Sequence, residues 1–387
     1  MINYRFQKNV LLINPSPESR TISDITNLID KVRPESHTIV WQPWEESDSR
    51  FEEYLKHDYK ETPSHSANIF EFENILLKHN IKCYLLVGSD YSNAYSNIKT
   101  NPIKNFEVLF WPTALLHYTY YGMVNFYGKK PSELFSQYRP IDKLYLNLNN
   151  HDRYHRGMLM DMLCKFDLFK DGINTWNNEN YSFDFRYFKP QKLSFDNLSF
   201  NNPQKVFSEK LLNAPNLIDV VTETSPILDF NPDYPELSKE YIFHTEKTFR
   251  SILFGKPFLV LGNKGQNLNL KKYGICLFDS IFNYQYDKFN SFYERCLGII
   301  DNLYEFRDKN FGEVRDMVIN LSMYNIDRAT AIVYNDGYMP SQLKMIIEEN
   351  KEEYKILLKD FDSSYAGSFG FDDEWRLTER IFKEIYQ

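Results

Sequence analysis

Three adjacent side chains, those of Thr245, Glu246 and Lys247, bring a hydroxyl, a carboxylate and an ammonium to the predicted start of a helix. A carboxylate can accept two hydrogen bonds from vicinal ribose hydroxyls, and an ammonium at a helix N-terminus can hold a diphosphate. The simpler interpretation is that Thr245 caps the helix and Glu246 only interacts with its dipole. Arg250, one turn beyond Glu246, is either a second phosphate ligand or a partner that orients Glu246. Gly255 is predicted to end the helix as a C-cap.

The segments around this helix alternate apolar strands with polar loops. A predicted strand, Leu217–Thr222, leads into the polar residues Glu223 to Ser225, and another strand, Lys256–Gly262, follows the helix. Upstream, a predicted strand over Lys143–Leu148 precedes a polar turn and a helix over Tyr154–Leu168. A strand, a polar loop and a helix N-terminus together offer backbone N–H groups and the positive end of a dipole to an anion.

The remaining elements predict α/β architecture. Short apolar runs between turn residues predict four strands in the first part of the chain: Asn9–Asn14, His37–Trp41, Ile81–Val87 and Phe106–Trp111. Apolar positions at helical spacing predict a helix over Ala67–His79, and Gly274–Phe278 is a further predicted strand. The chain from Tyr286 is predicted to be mostly helical, with a last helix over Glu374–Tyr386. Strands that alternate with helices imply parallel sheets, with ligands at the carboxyl ends of the strands.

The length of 387 residues exceeds the size at which a single core usually stops growing, which predicts two domains. The polar segment 127–140, bounded by proline, is the predicted linker. The expected organisation is a Rossmann-like domain over 1–138, a second over 139–345 and a helical segment over 346–387 that packs back across the domains. With 17% aromatic residues the chain has ample apolar surface for two cores, so a wholly disordered protein is excluded.

Charge and cysteine usage limit the partners and the compartment. The net charge of −8 leaves the chain without the overall basic field that supports non-specific nucleic-acid binding. The four cysteines have no zinc-ligand spacing, and no stretch has the length of a membrane-spanning helix. We therefore expect a soluble cytoplasmic protein without a metal site. Asp360-Phe-Asp362 has the form of a metal-binding Asp-X-Asp, but its position after a long helical stretch favours a solvated loop.

The order of motifs from 218 to 262 resembles the donor-binding half of the alpha-1,3-fucosyltransferase family. The chain reads Ile218-Asp-Val-Val-Thr-Glu-Thr-Ser225, then Thr245-Glu-Lys-Thr-Phe-Arg-Ser-Ile-Leu-Phe-Gly-Lys-Pro-Phe-Leu-Val-Leu-Gly262. A closer likeness is to the fucosyltransferase-like glycosyltransferases of viruses and bacteria, whose Gly-containing strand ending in Phe-Asp corresponds to Tyr273–Asp279. The likeness covers about 143 to 287. It implies the GT-B fold, in which two Rossmann-like domains face each other.

The resemblance implies a metal-independent transfer from a nucleotide sugar, with a GDP-sugar favoured, to a glycan or other hydroxyl acceptor. By that likeness Glu246 contacts the donor ribose, Lys247 and Arg156 contact the diphosphate, and Glu223 and Ser225 face the sugar or the nucleoside. Glu-Thr-Ser stands where the family has Glu-Asn-Ser, which leaves the sugar open. The full set of donor-binding candidates is Arg153, Arg156, Glu223, Ser225, Thr245, Glu246, Lys247, Arg250 and Gly262.

The same likeness implies an inverting displacement with a carboxylate base from the N-terminal domain. Asp90, at the end of a predicted strand, is the first candidate, and His117 is the second. Both positions also suit a structural or acceptor-lining role. Aromatic residues that could stack on an acceptor sugar are equally consistent with core positions: Trp41, Trp44, Trp111, Tyr118, Tyr120 and Tyr121.

Two alternatives stay open. The chain could be a sugar-nucleotide or glycan-binding protein that kept the donor site and lost the base. It could also be a glycosyltransferase whose acceptor is a modified base in DNA, although the acidic charge balance argues against that.

Overall fold

The computed structural model of the protein describes residues 3–6, 10–14, 26, 38–41, 63–87, 104–110, 141–149, 153–176, 185–189, 191–194, 209–223, 242–334, 341–342 and 345. The chain divides into two compact units. The first comprises Met1–Thr113 with Asn335–Gln387, and the second comprises Ala114–Tyr334.

The first unit contains a five-stranded sheet whose strands lie in chain order. Its strands are β1 (Asn3–Phe6), β2 (Val10–Asn14), β3 (Thr38–Trp41), β4 (Lys82–Val87) and β5 (Phe106–Phe110). β2 to β5 are parallel, which confirms the four predicted strands, and β1 pairs antiparallel with β2. The sequence analysis missed β1, because its four residues alternate polar and aromatic side chains without a continuous apolar run.

Helix α1 (Pro63–Lys78) confirms the helix predicted before β4 and begins four residues earlier than expected. Phe72 and Leu76, one turn apart, are buried, whereas Leu77 on another face is exposed. The Phe72 ring meets the Phe106 ring of β5 edge-on, with the centroids 5.6 Å apart. The buried face of α1 therefore covers the sheet of its own unit.

The second unit contains a fully parallel four-stranded sheet in the order β7-β6-β8-β9. These strands are β6 (Lys143–Asn147), β7 (Gly172–Asn174), β8 (Asn216–Thr222) and β9 (Phe258–Leu261). Every residue of β8 is buried, as expected for a strand covered on both faces. The chain runs from β6 to β7 on one side and then places β8 on the other side of β6. Open α/β sheets bind ligands where the strand order reverses in this way, at the carboxyl ends.

The strand predicted at 274–278 is wrong. The chain from Ile275 to Phe278 is largely buried but forms no strand and joins neither sheet. The side-chain amide of Asn325 accepts from the Cys276 N–H and donates to the Cys276 carbonyl, both at 2.8 Å. The side chain of Asn325 thus satisfies the backbone groups that a neighbouring strand would otherwise bond. The local apolar pattern could not predict this partner, because Asn325 is distant in the sequence.

The described α-helices of the second unit lie between its strands or after them in the chain: α2 (Tyr154–Lys165), α3 (Glu209–Leu212), α4 (Glu246–Leu253), α5 (Gln266–Asn269), α6 (Phe292–Phe306) and α7 (Phe311–Tyr334). Gly255 lies just beyond α4 with φ at 61°, the left-handed conformation of a glycine that ends a helix, as predicted. No helix among the described residues is long and apolar enough to cross a membrane.

The predicted class, α/β with two parallel sheets and helices, is confirmed. The linker 127–140 and the segment 346–387 lie outside the described residues. The predicted domain bounds and the returning C-terminal helix therefore stay predictions, as does the way the two domains face each other.

Candidate functional site

Two helix N-termini meet where β6 and β8 end. α2, whose N-cap residue is Arg153, follows β6 in the chain, and α4, whose N-cap residue is Thr245, follows β8. Because β6 and β8 are parallel neighbours, their carboxyl ends lie at the same edge of the sheet. The His155 ring in the first turn of α2 approaches the Glu223 carbonyl just after β8, with Nε2 3.0 Å from the oxygen. The two helix starts thus belong to one site.

His155 holds this junction as a neutral side chain. Burial lowers its pKa well below the ordinary value for histidine, and the charge of neighbouring Arg156 lowers it further. Since the partner is a carbonyl oxygen, the ring donates through its Nε2–H. His155 therefore joins α2 to the end of β8 without adding a charge.

Lys247 adds a cation in the first turn of α4. Its Nζ donates to the Thr222 carbonyl at 3.2 Å, at the last residue of β8. Burial lowers the pKa of this ammonium to about 8; Arg156 and Arg153 lower it as well, whereas the carboxylates of Glu246 and Glu223 oppose the shift. Three cations therefore lie close enough to repel one another beside two positive helix ends.

Glu223 has a structural set of partners. Its carboxylate accepts from the Thr245 N–H at 3.1 Å, from the Thr245 hydroxyl at 2.8 Å and from the Thr248 hydroxyl, and its side chain is buried. The carboxylate thus satisfies donors at the start of α4 from the end of β8. The described contacts direct Glu223 to the helix start, and its role toward a sugar or nucleoside stays a prediction.

Thr245 is the N-cap that the sequence predicts. Its backbone is extended, with φ at −101° and ψ at 179°, and its hydroxyl accepts from the Lys247 N–H at 3.4 Å. Glu246 follows in the first turn and is only partly buried. Its donor-binding role stays a prediction, and its charge acts on Lys247 in the direction expected of a neighbouring anion.

Arg250 does not occupy the position expected of a phosphate ligand or of a partner for Glu246. Its Nη2 forms an ion pair with Asp219 Oδ2 at 2.9 Å, and both side chains are buried between α4 and β8. Ser251 and Asn216 also donate to the Asp219 carboxylate, each at 2.8 Å. The described contact makes Arg250 part of the interior, which corrects the interpretation of this residue.

Gly262 has a packing role in the loop after β9. A Cβ atom at this position would lie 2.8 Å from the side chain of Gln266, which donates to the Phe243 carbonyl at 2.7 Å. The absence of a side chain at Gly262 leaves room for the Gln266 side chain to reach the Phe243 carbonyl. A role of Gly262 in a base pocket stays a prediction.

The structure brings together six of the eleven residues that the sequence singles out: Arg153, Arg156, Glu223, Thr245, Glu246 and Lys247. Asp90, His117 and Ser225 lie outside the described residues. Within the described ranges, no group of three His, Cys, Asp or Glu could hold a metal ion.

Sequence reasoning missed three polar residues at this edge. The Thr222 hydroxyl donates to Asn149 Oδ1 at 2.7 Å, and the Thr175 hydroxyl accepts from the Asn149 N–H at 2.8 Å. Asn149 thereby bridges the residues at the carboxyl ends of β8 and β7. The available signal was the asparagine pair that directly follows a buried strand.

Comparison with known proteins gives weak likenesses. No family model and no curated protein matches the chain. A solved structure of the DNA-modifying enzyme β-glucosyltransferase, with and without uridine diphosphoglucose, is 11% identical with a TM-score of 0.41, and the match covers 84% of this chain and 96% of that one. A structure of the T4 phage enzyme in complex with UDP-glucose is 10% identical with a TM-score of 0.40, covering 83% and 78%. Likenesses of this size do not establish an activity.

Proposed function

We propose that the protein is a glycosyltransferase that moves a sugar from a nucleoside diphosphate sugar to a hydroxyl acceptor. The observation that carries the proposal is the meeting of two helix N-termini and three cations at the carboxyl ends of β6 and β8, where the strand order reverses. Parallel sheets of this kind bind nucleotides at such an edge, and helix N-termini bind phosphates.

A diphosphate suits the charge of this site. Burial lowers the pKa of Lys247 to about 8, and the charges of Arg156 and Arg153 lower it further. An anion with several negative charges relieves this repulsion and accepts hydrogen bonds from the cations and from backbone N–H groups. A neutral sugar or a lone base forms no ion pair with these side chains.

The same charges serve the chemistry of transfer. As the glycosidic bond to the donor breaks, negative charge grows on the diphosphate leaving group, and preorganised cations and helix dipoles stabilise it. Lys247 and Arg156 stabilise the diphosphate in this proposal, and Glu246 accepts from the ribose hydroxyls. The acceptor hydroxyl loses its proton to a base of the first unit, for which Asp90 and then His117 remain the candidates. The sequence likeness favours inversion and a GDP-sugar.

A donor screen tests the proposal. The purified protein is melted with UDP, GDP, CMP and dTDP and with their common sugar conjugates, without added metal. A ligand that binds only the folded state raises the melting temperature. The screen includes UDP-glucose as well as the GDP-sugars, because the descriptions of both similar solved structures mention UDP-glucose. The donor that shifts the melting temperature is then incubated with glycan acceptors and with DNA that carries a modified, hydroxyl-bearing base.

We expect one donor class to bind and its sugar to appear on an acceptor. Glu246→Ala should weaken donor binding about tenfold or more, because the ribose loses its acceptor. Glu294→Ala is the matched control, since Glu294 also lies in the first turn of a helix, α6. Binding without any transfer would favour the non-catalytic alternative. A folded protein that binds no nucleotide, or a Glu246→Ala variant that binds as the control does, would contradict the site assignment.

A further inference from the structure

Asn149 lies at the centre of a row of hydrogen bonds across three strand ends. Its Oδ1 accepts at 2.7 Å from the hydroxyl of Thr222, the last residue of β8. Its backbone N–H donates to the Thr175 hydroxyl at 2.8 Å beyond β7, and its carbonyl accepts from the same hydroxyl at 3.3 Å. These three bonds fix the backbone of Asn149 and the orientation of its amide.

The amide nitrogen of Asn149 lacks a partner. The side chain is 1% exposed, and Nδ2 finds no hydrogen-bond acceptor among the residues that the structure describes. Buried side-chain donors in native proteins are nearly always satisfied, since a donor stripped of water without an acceptor is costly. Oδ1 is the amide atom that contacts the Thr222 hydroxyl, which leaves Nδ2 as the atom without a partner among the described residues.

Thr222 connects this amide to the cationic site. Its hydroxyl contacts Asn149, and its carbonyl accepts from Lys247 Nζ at 3.2 Å. Asn149 also lies between β6 and the N-cap of α2, Arg153. The unpartnered donor therefore sits at the edge where both helix N-termini meet.

We propose that Asn149 is a further ligand of the nucleoside diphosphate, with Nδ2 donating to an oxygen of the diphosphate. This inference rests on the proposed function. Arginine and lysine supply charge, whereas an amide held by a second hydrogen bond supplies a donor with a fixed direction. Such a donor orients the diphosphate, and with it the bond to the sugar.

Titration calorimetry with UDP and with GDP tests the role of Asn149. Asn149→Leu has a similar shape and no donor, and we expect the nucleotide that binds the wild type to bind this variant at least about tenfold more weakly. Thr175→Val is the matched control, because it breaks the same row of bonds and leaves Nδ2 in place; its affinity should stay within about twofold of the wild type. Thermal unfolding of each variant separates lost stability from lost affinity.

Asn149→Asp provides a second variant if the leucine variant does not fold. It keeps an oxygen for the Thr222 hydroxyl and replaces only the donor, and its affinity should fall at least as far as that of Asn149→Leu. A wild type that binds UDP or GDP tightly, with either folded Asn149 variant binding equally well, would overturn this inference alone. A wild type that binds neither UDP nor GDP, nor dTDP in the same titration, would overturn the proposed function and this inference together.

Discussion

Asp219 within β8 and Glu223 just after it both accept hydrogen bonds from α4 and its N-cap, but only Asp219 forms an ion pair with a cation in the described contacts. Asp219 forms an ion pair with Arg250, and both side chains are buried. Glu223, one position beyond the end of the strand, accepts from backbone N–H and hydroxyl groups of Thr245 and Thr248. The nearby cation Lys247 donates to a carbonyl oxygen instead.

This difference distinguishes a structural ion pair, Asp219 with Arg250, from the candidate ligand site at the carboxyl end of β8. At Asp219 the charges of strand and helix cancel, and the pair fixes α4 on the sheet. At Glu223 the carboxylate accepts from hydroxyl and backbone N–H donors, and Lys247 donates to the neighbouring Thr222 carbonyl. The contacts between α4 and β8 thus form a structural ion pair at Asp219, and the candidate site lies at the carboxyl end of the strand.

The largest effect is expected at the structural pair. Arg250→Ala leaves the buried Asp219 carboxylate without its countercharge, and we expect a loss of about 3–5 kcal/mol in the free energy of unfolding. Urea denaturation measures this loss. Replacing both partners, as in Asp219→Asn with Arg250→Met, should cost less than Arg250→Ala alone, because no buried charge is left unpaired.

The opposite result at Arg250 would contradict this comparison. If Arg250→Ala unfolds at the same urea concentration as the wild type and loses nucleotide affinity, the arginine is a phosphate ligand. The division between the two ends would then be wrong.

A smaller effect is expected at Glu223. Glu223→Gln removes a charged acceptor from the start of α4 while keeping one oxygen, and the unfolding free energy should fall by about 1–3 kcal/mol. Thermal and urea unfolding of the variant measure the change. An unaltered stability combined with weaker donor binding would return Glu223 to the sugar or nucleoside role that the sequence likeness implies.

Local sequence signals predicted the parts of the site that depend on chain neighbours. The strand before Glu223, the N-cap at Thr245 and the glycine after α4 all follow from short patterns of residue type. Apolar segments likewise predicted β2 to β6, β8 and β9, because each of these strands is rich in apolar or β-branched residues. The short strand β7 (Gly172–Asn174) offers no such run and was missed.

Partners that are distant in the sequence could not be predicted. Asp219 and Arg250 are 31 positions apart, and Thr222 and Asn149 are 73 apart. One helical turn places Arg250 near Glu246 on α4, and that local proximity suggested a shared role. Because α4 packs on β8, Arg250 instead forms an ion pair with Asp219. The same limit applies to Cys276, whose partner Asn325 replaces the strand that the local pattern suggested.

The central claim is that Lys247 binds a diphosphate at the ends of β6 and β8. The most direct test is the change in affinity for the nucleoside diphosphate between pH 7 and pH 9. With a pKa of about 8 in the free protein, Lys247 is charged at pH 7 and mostly neutral at pH 9. A diphosphate that binds the charged form should therefore bind about tenfold more weakly at pH 9. Lys247→Ala should bind about 10- to 100-fold more weakly at pH 7 and show little change with pH.

Lys271→Ala is the matched control, because it removes the same charge from a surface ion pair with Asp279. We expect it to follow the wild type at every pH in calorimetric titrations with the same nucleotide. Loss of affinity and of pH dependence in Lys247→Ala alone is the result that the site at the ends of β6 and β8 predicts. Equal affinity in both lysine variants, or a wild-type affinity that does not change with pH, would contradict it.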